Sequence, residues 1–453
     1  MSTSLINKYN VAGPRYTSYP TVPYWDDSSF SARSYLRTLK ATFDQSNSKG
    51  ISVYIHLPFC ESLCTFCACH KHITKRHEVE DMYIETVLKE WRLYVDFLKE
   101  KPNIKELHLG GGTPTFFSSK NLRKLMEGIF EISSLTAKYE LSFEAHPNHT
   151  TREQLQTLFD LGFRRLSFGI QDYGKKVQQA INRIQTFEQV QKVTHSSREI
   201  GYTSVSHDLV FGLPFQTIKN IKDSIQKTAL LLPDRISLYS YAHVPWIKGV
   251  GQRGFDALDL PNANQKRELY ESAKTAFTAL GYEEIGMDHF ALKSDSLYHS
   301  AKQNKMHRNF MGYTTNKTQL MIGLGMSAIG DSWGGFAQNI KSVKDYQQSV
   351  QSNQFPLLRG HMLSKEDKVI RLHILNMMCH FETSWQKSNM KFDGLANTLN
   401  RLQEMEKDGL IKMDNNGLVV LEKGIPFVRN VCMAFDQHLM RNQPTTSVFS
   451  MTI

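Results

Sequence analysis

No run of about 18 apolar residues occurs in these 453 residues, so no membrane-spanning helix is expected. The opening MSTSLINKYN lacks the apolar segment of a secretory signal, and the expected location is the cytoplasm. No block of consecutive basic residues marks a nucleic-acid tail, although the net charge is +10. That surplus suits an anionic ligand, an acidic protein or nucleic acid, and equally an ordinary soluble surface. Repeats and low-complexity segments are absent. Cysteine is scarce: six residues are unlike a disulfide framework in a cytoplasmic chain of this length. With 40% hydrophobic and 22% charged residues, the composition excludes disordered and fibrous classes.

What is present is a folded chain long enough for two or three domains, or one large barrel with attachments. Residues 1–50 form a polar N-terminal arm. Its GPRYTSYPT (13–21) is too rich in turn formers for a helix and is expected to lie extended over another surface. From residue 51, short apolar or alternating runs predict strands at 51–57, 104–110, 139–145, 164–170, 203–210 and 234–241. Helical stretches between and after them run over 80–99, 119–132, 152–161, 186–200, 217–232 and 264–280. Strand–helix alternation predicts an α/β fold with a parallel sheet, and six units in a row favour a partial (β/α)6 barrel over residues 51–345. Residues 346–453 read as a C-terminal helical domain. Helices are expected over 365–390 and 392–407, followed by a hairpin at 408–424 turning on Asn415-Asn416-Gly417. Helices plus a small hairpin are winged-helix-like. Without a basic recognition stripe, a lid or packing role is preferred to DNA binding.

Four of the six cysteines fall within ten residues: Cys60, Cys64, Cys67 and Cys69. Cys379 and Cys432 stand alone and read as buried small hydrophobes. Cys60-x3-Cys64-x2-Cys67 directly follows a predicted strand. Three thiolates on one tight loop can hold three irons of a [4Fe–4S] cube and leave the fourth open. The open iron can chelate an adjacent amine and carboxylate, the methionine end of S-adenosylmethionine. The competing reading is a Cys3His zinc site completed by Cys69, His70 or His72, but crowding on one loop is poor for tetrahedral geometry.

Polar residues at predicted strand ends point into the mouth of a barrel: Glu144 on the third strand, Gln171 on the fourth and Asp208 on the fifth, with Arg183 nearby. Gly110-Gly111-Gly112-Thr113-Pro114-Thr115 follows the second strand, and its glycines permit close backbone approach to a ligand. It lacks the ending of a Walker loop. The literal GxGxxG at 249–254 has no helix to aim at a pyrophosphate and is rejected as a dinucleotide site.

The cysteine spacing, with Phe66 before the third cysteine, resembles the radical S-adenosylmethionine superfamily. The ordered set GPRYTSYPT, YIHLPFCESLCTFCAC, HLGGGTPT, LSFGIQDY, HDLVFGLPFQT, YAHVP, GMDHFA, HRNFMGYTT, GLGMSAIGD and RNVCMAFD resembles the oxygen-independent coproporphyrinogen III oxidases over almost the whole chain. The resemblance implies a [4Fe–4S] cluster on Cys60, Cys64 and Cys67 and two molecules of S-adenosylmethionine. It implies cofactor contacts at Tyr54, Phe66, Gly111, Gly112, Thr113, Glu144, Gln171, Arg183, Asp208, Ala242 and Ile329. The implied reaction is oxidative decarboxylation of two propionates of coproporphyrinogen III to vinyl groups through a 5′-deoxyadenosyl radical, giving protoporphyrinogen IX. Cys69 and the N-terminal arm separate this pattern from related haem chaperones, which keep the cluster without decarboxylating. Arg15 and Arg308 are the expected clamps for substrate carboxylates. The expected partners are that substrate and a small reductant protein such as flavodoxin or ferredoxin, with no nucleic acid or membrane, and the chain is expected to be a monomer. Ala68, His70 and His146 depart from the family pattern, where glycine, asparagine and aspartate are usual.

Overall fold

The computed structural model describes residues 3–28, 30–247, 251–252 and 254–453. The six predicted strands are β1 (Ile51–Leu57), β2 (Asn103–Gly111), β3 (Ser134–Ala145), β4 (Arg165–Gln171), β5 (Ser204–Phe211) and β6 (Arg235–Ser240). They stand side by side in chain order, each parallel to the next. Strands buried on both faces read as nearly continuous apolar runs, and β1 is buried at every position except Tyr54. β4 alternates instead. Its Leu166, Phe168 and Ile170 join the main apolar cluster, while Ser167, Gly169 and Gln171 face the cavity described below.

A helix follows each strand: Val79–Leu98, Ser119–Glu131, Arg152–Asp160, Phe187–Ile200, Ile218–Leu231 and Ala263–Ala279. Three of them start with a threonine capping box, at Thr151, Thr186 and Thr217. Each threonine side chain accepts the N3 amide and ends the preceding loop at a fixed place. The result is a (β/α)6 barrel that does not close.

Both edges of this sheet are extended by strands that the sequence periodicity did not predict. Met321–Leu324 pairs parallel with β1 and is followed by antiparallel Ile329–Asp331, Gly335–Asn339 and Leu357–Met362. His289–Leu292 pairs antiparallel with β6 and carries Tyr282–Glu284 outside it. The sheet therefore has twelve strands and reaches beyond residue 345.

The first fifty residues serve two cores. Helix Ala32–Ser46 buries Tyr35, Leu39 and Phe43 in the main cluster. Leu5, Ile6, Tyr9, Tyr16 and Tyr19 instead pack with Met377, Leu402, Phe427 and Val431 of the C-terminal helices. Gly13–Thr21 contains no helix and lies over that second core, as its turn formers require.

The predicted helix over 365–390 ends at His380. Phe381 turns left-handed, and Glu382–Ser384 pairs with Gly417–Val420, so ladder hydrogen bonds replace the helix there. The hairpin forms as read, Ile411–Met413 against Gly417–Val420, its turn held by Asp414 Oδ1 accepting the amides of Asn416 and Gly417. Cys379 and Cys432 are both buried. Among the described residues no helix is long and apolar enough to cross a membrane.

His361, Asp367 and His438 meet where the N-terminal arm, the outer strand and the C-terminal helices join. The Asp26 amide donates to His361 Nδ1. The proton of a neutral His361 is therefore on Nε2, which faces Asp367 at 3.4 Å, and the ring has no lone pair there for a metal. The trio is a hydrogen-bonded clasp.

Glu90, in the middle of helix Val79–Leu98, is fully buried. Its carboxylate accepts from the Gly325 amide at 2.8 Å, Tyr346 OH at 2.6 Å and Asn339 Nδ2 at 2.7 Å. Burial nevertheless pushes it up to about 7 from 4.5. A carboxyl whose folded pKa is raised stabilises fully below its unfolded value and loses that contribution as pH rises through the folded one. The loss is about 3 kcal/mol between pH 4.5 and 7. Glu90→Gln is therefore expected to gain in Tm relative to the wild type as pH rises from about 5 to about 8. Parallel Tm–pH curves for the two proteins would refute this.

Candidate functional site

The cysteine loop is built on a buried anchor. Phe59 is fully buried among Tyr83, Phe116 and Phe117, at centroid distances of 5.3, 5.5 and 5.6 Å. Phe59–Cys60 pairs with His72–Ile73, and the His72 amide donates to Pro58 O while the Thr74 amide donates to Cys60 O, both at 2.9 Å. The intervening loop, closed at its base, turns Cys60, Cys64 and Cys67 into one cavity of about 500 Å³. A cavity of that size accepts a cofactor.

The cavity sits over the C-terminal ends of the strands, where barrel enzymes keep their chemistry. Cys60 Sγ lies 3.4 Å from Thr113 Oγ1. Arg183 Nη1 donates to Cys64 Sγ at 3.6 Å. Lys71 Nζ donates to the carbonyls of Cys67 and Cys69 at 3.1 and 3.3 Å. Burial pushes the Cys60 thiol up to about 11. A hydrogen bond from Cys69, with help from Lys71, holds the Cys67 thiol below its ordinary range.

The glycine run lies directly against this loop. The Gly112 amide donates to Leu57 O and the Thr113 amide to Phe59 O. A Cβ on Gly112 would sit 2.5 Å from the Pro58 backbone, so only glycine allows the approach. Gly111 has φ +111° and donates its amide to Glu144 Oε2 at 3.3 Å. Burial opposes ionisation of Glu144, but His108 at 3.6 Å and that amide outweigh it and hold the group below its ordinary range. Asp208 behaves oppositely. Burial raises it to about 6 although its Oδ2 accepts from Ser167 Oγ at 2.7 Å. It lies inside β5, which runs on to Phe211, rather than at the strand end read from sequence.

Gln171 closes β4 with φ +69°, beyond a register shift against β5, a bulge that re-aims its side chain into the cavity. Arg183 Nη2 donates to Gly169 O, and its buried Nε has no partner. Phe66 and Ala242 are tied together by Gln252, whose Nε2 donates to both carbonyls. Of the GxGxxG at 249–254, Gly249, Val250 and Arg253 lie outside the described residues.

Arg15 reaches the cavity wall from the N-terminal arm and donates Nη2 to Ser240 O at 2.6 Å. Three expected residues stand outside the wall. Tyr54 lies beneath it, stacked on His108 with its hydroxyl 3.0 Å from His56 Nδ1. Arg308 is buried behind Arg15, its guanidinium 4.7 Å over the Tyr313 ring and its Nε and Nη1 without partners. Ile329 packs near Trp25 and Phe336 on the edge strands. Sequence reading missed Ser167 and Tyr239 as wall residues. Period-2 alternation from Gly169 gives Ser167. His146 also lines the wall, its Nδ1 accepting the Asn148 amide and its ring kept neutral by burial beside Arg183.

The donor set fits an iron–sulfur cluster: Cys60, Cys64 and Cys67, with Cys69 beside them, face one cavity, and among the described residues no three of these thiols crowd together, with or without a ring nitrogen or carboxylate, as they would around one small ion. The same cavity is lined by the ionised carboxylate of Glu144 and the guanidinium of Arg183, the complements of an ammonium and a carboxylate.

A model of the radical SAM superfamily matches residues 54–228. Oxygen-independent coproporphyrinogen III oxidase from Helicobacter pylori strain 26695 is 38% identical over 442 residues, covering 96% of each chain. The Escherichia coli K12 protein of the same name is 36% identical over 455 residues, covering 99% of this chain and 98% of its own. The solved structure of coproporphyrinogen III oxidase from Escherichia coli, described as a radical SAM enzyme, superposes with a TM-score of 0.90 at 34% identity over 97% of this chain and 99% of that one. Full-length likeness at this identity, on a fold whose cysteine loop and strand ends meet in one cavity, leaves one conclusion: this chain belongs to the oxygen-independent coproporphyrinogen III oxidases of the radical SAM superfamily.

Proposed function

We propose that this chain decarboxylates two propionate side chains of coproporphyrinogen III to vinyl groups, giving protoporphyrinogen IX. The observation that carries this reading is the cavity itself, where three cysteines share a wall with Glu144 and Arg183. Cys60, Cys64 and Cys67 would hold the [4Fe–4S] cluster. Glu144, ionised and flanked by Gly111–Thr113, would accept the ammonium of S-adenosylmethionine, and Arg183 would donate to its carboxylate. Phe66, Ala242, Gln171 and Asp208 would bound the remainder of the cofactor. When bound, cluster and cofactor supply one-electron cleavage and hydrogen abstraction, and the chain's own part is positioning and exclusion of water.

The substrate carries carboxylates, and Arg15 is the cation placed to meet them at the cavity mouth. Arg308 stands behind it, its Nη2 3.5 Å from Arg15 O and two N–H groups free. A buried guanidinium with unused donors is costly unless a ligand or water meets them. Cys69, exposed beside Cys67 and bonded to no cluster iron in this reading, would act on the substrate side.

Anaerobic incubation of reduced protein with S-adenosylmethionine and coproporphyrinogen III tests the reading: vinyl product is expected, and cofactor cleavage without decarboxylation would refute it. Arg15→Ala is expected to raise substrate KM about tenfold or more, the scale of a lost charged hydrogen bond. Uncoupled cofactor cleavage should persist. An unchanged KM would reduce Arg15 to a packing residue.

A further inference from the structure

The cysteine loop has an outer face. From Ser62 to His77 the chain contains no Asp or Glu, while Lys71, Lys75 and Arg76 fall there with His70, His72 and His77. His70, His72, Ile73, Lys75 and Arg76 are all exposed. Lys341 and Arg359, from the edge of the large sheet, add positive charge beside His70. The acidic groups facing this surface are Glu78, 3.7 Å from Arg76, Asp27, 3.6 Å from Arg359, and Glu61, which faces His149 at 3.2 Å and His77 at 3.9 Å. Positive charge remains in surplus.

The geometry beneath this charge is specific. Ile73, an apolar side chain 41% exposed, is the direct strand partner of Cys60. The Thr74 amide donates to Cys60 O at 2.9 Å. Paired strands lie about 4.8 Å apart. The surface at Ile73 is therefore one strand's width, crossed by hydrogen bonds, from a cysteine proposed to hold the cluster. An apolar spot followed in the chain by two exposed cations, beside a proposed redox site, has the form of a transient, electrostatically steered interface.

We propose that the face formed by Ile73, Lys75 and Arg76 is the docking surface for an acidic one-electron carrier protein. This rests on the proposed cluster at Cys60, Cys64 and Cys67. Each encounter passes one electron: the carrier is oxidised by one, the cluster is reduced by one, and no atom crosses the interface. The carrier stays outside the cavity, so substrate and carrier do not compete.

The test uses anaerobic holoenzyme and an acidic flavodoxin, with Kd measured by calorimetry at about 20 mM and about 300 mM salt. Binding is expected to weaken about tenfold or more with salt, and again by about tenfold in the double variant Lys75→Glu/Arg76→Glu. Iron content and vinyl formation driven by dithionite should stay at the wild-type level in that variant. An unchanged flavodoxin Kd overturns the proposal. So does an equal loss of dithionite-driven turnover, which would make the face structural, or tighter binding of a DNA oligomer than of flavodoxin. Absence of dithionite-driven vinyl product in the wild type would instead refute the catalytic reading, and the Kd comparison would still decide the docking face.

Discussion

Serine at any one of Cys60, Cys64 or Cys67 is expected to abolish turnover and strip the protein of bound iron, whereas alanine at Cys379 or Cys432 leaves iron binding intact. The two groups of cysteines differ in what they face. Cys60, Cys64 and Cys67 share a cavity wall with Thr113 and Arg183, and Lys71 braces the carbonyls of their loop. Cys379 and Cys432 are buried in apolar clusters, where burial pushes the Cys432 thiol far up and Cys379 to about 12. A thiolate is the ligand that iron needs, and a serine hydroxyl does not replace it. Cys69→Ser separates a third role. It should keep its iron, because Cys69 is not one of the three, and lose decarboxylation if it acts on the substrate side. The measurement is iron and sulfide per chain after anaerobic reconstitution, with the visible absorption spectrum. Full iron loading in a Cys64→Ser protein would remove the basis of the proposed chemistry.

Much of the parallel barrel was legible because strands buried on both faces leave long apolar runs: β1 was read with its observed bounds. The edge strands were not, and the reason is their glycines. Gly323, Gly330 and Gly335 leave gaps in the side-chain alternation there, and a Cβ on Gly323 would sit 2.6 Å from Ile329 O, while one on Gly330 would run into Tyr35 OH. These glycines are strand residues where another chain segment comes close, a fact that period-2 patterning does not carry. The same division holds in the site. Glu144, Gln171 and Asp208 lie on strands and could be read from their positions. Arg15 and Arg183 come from the arm and a connecting segment, and only the resemblance placed them. Arg308, read as a clamp from its place in HRNF, stands outside the cavity wall, its Nη2 3.5 Å from Arg15 O and its guanidinium over the Tyr313 ring.

The second large effect is expected far from the cavity. Arg371, on helix Lys365–His380, forms a two-pronged ion pair with Asp331 at the end of an edge strand, with Nη1 3.1 Å from Oδ1 and Nη2 on Oδ2. The side chains are 7% and 10% exposed. The guanidinium also lies 4.1 Å over the Trp333 ring and 4.9 Å over Phe336. This pair bolts the C-terminal helices to the large sheet. Forming such a pair costs both ions their hydration, so its net worth is small, but removing one partner leaves a buried charge uncompensated. Asp331→Ala is therefore expected to cost about 3–5 kcal/mol of stability. Asp331→Ala combined with Arg371→Met should cost clearly less than the sum of the single changes, because no buried ion is left. Thermal or denaturant unfolding of the four proteins measures the coupling. A single-variant cost below about 1 kcal/mol would mean that the pair behaves as a surface ion pair. Neither residue lines the cysteine cavity. Folded Asp331→Ala protein should thus keep its iron, which separates loss of the bolt from loss of the site.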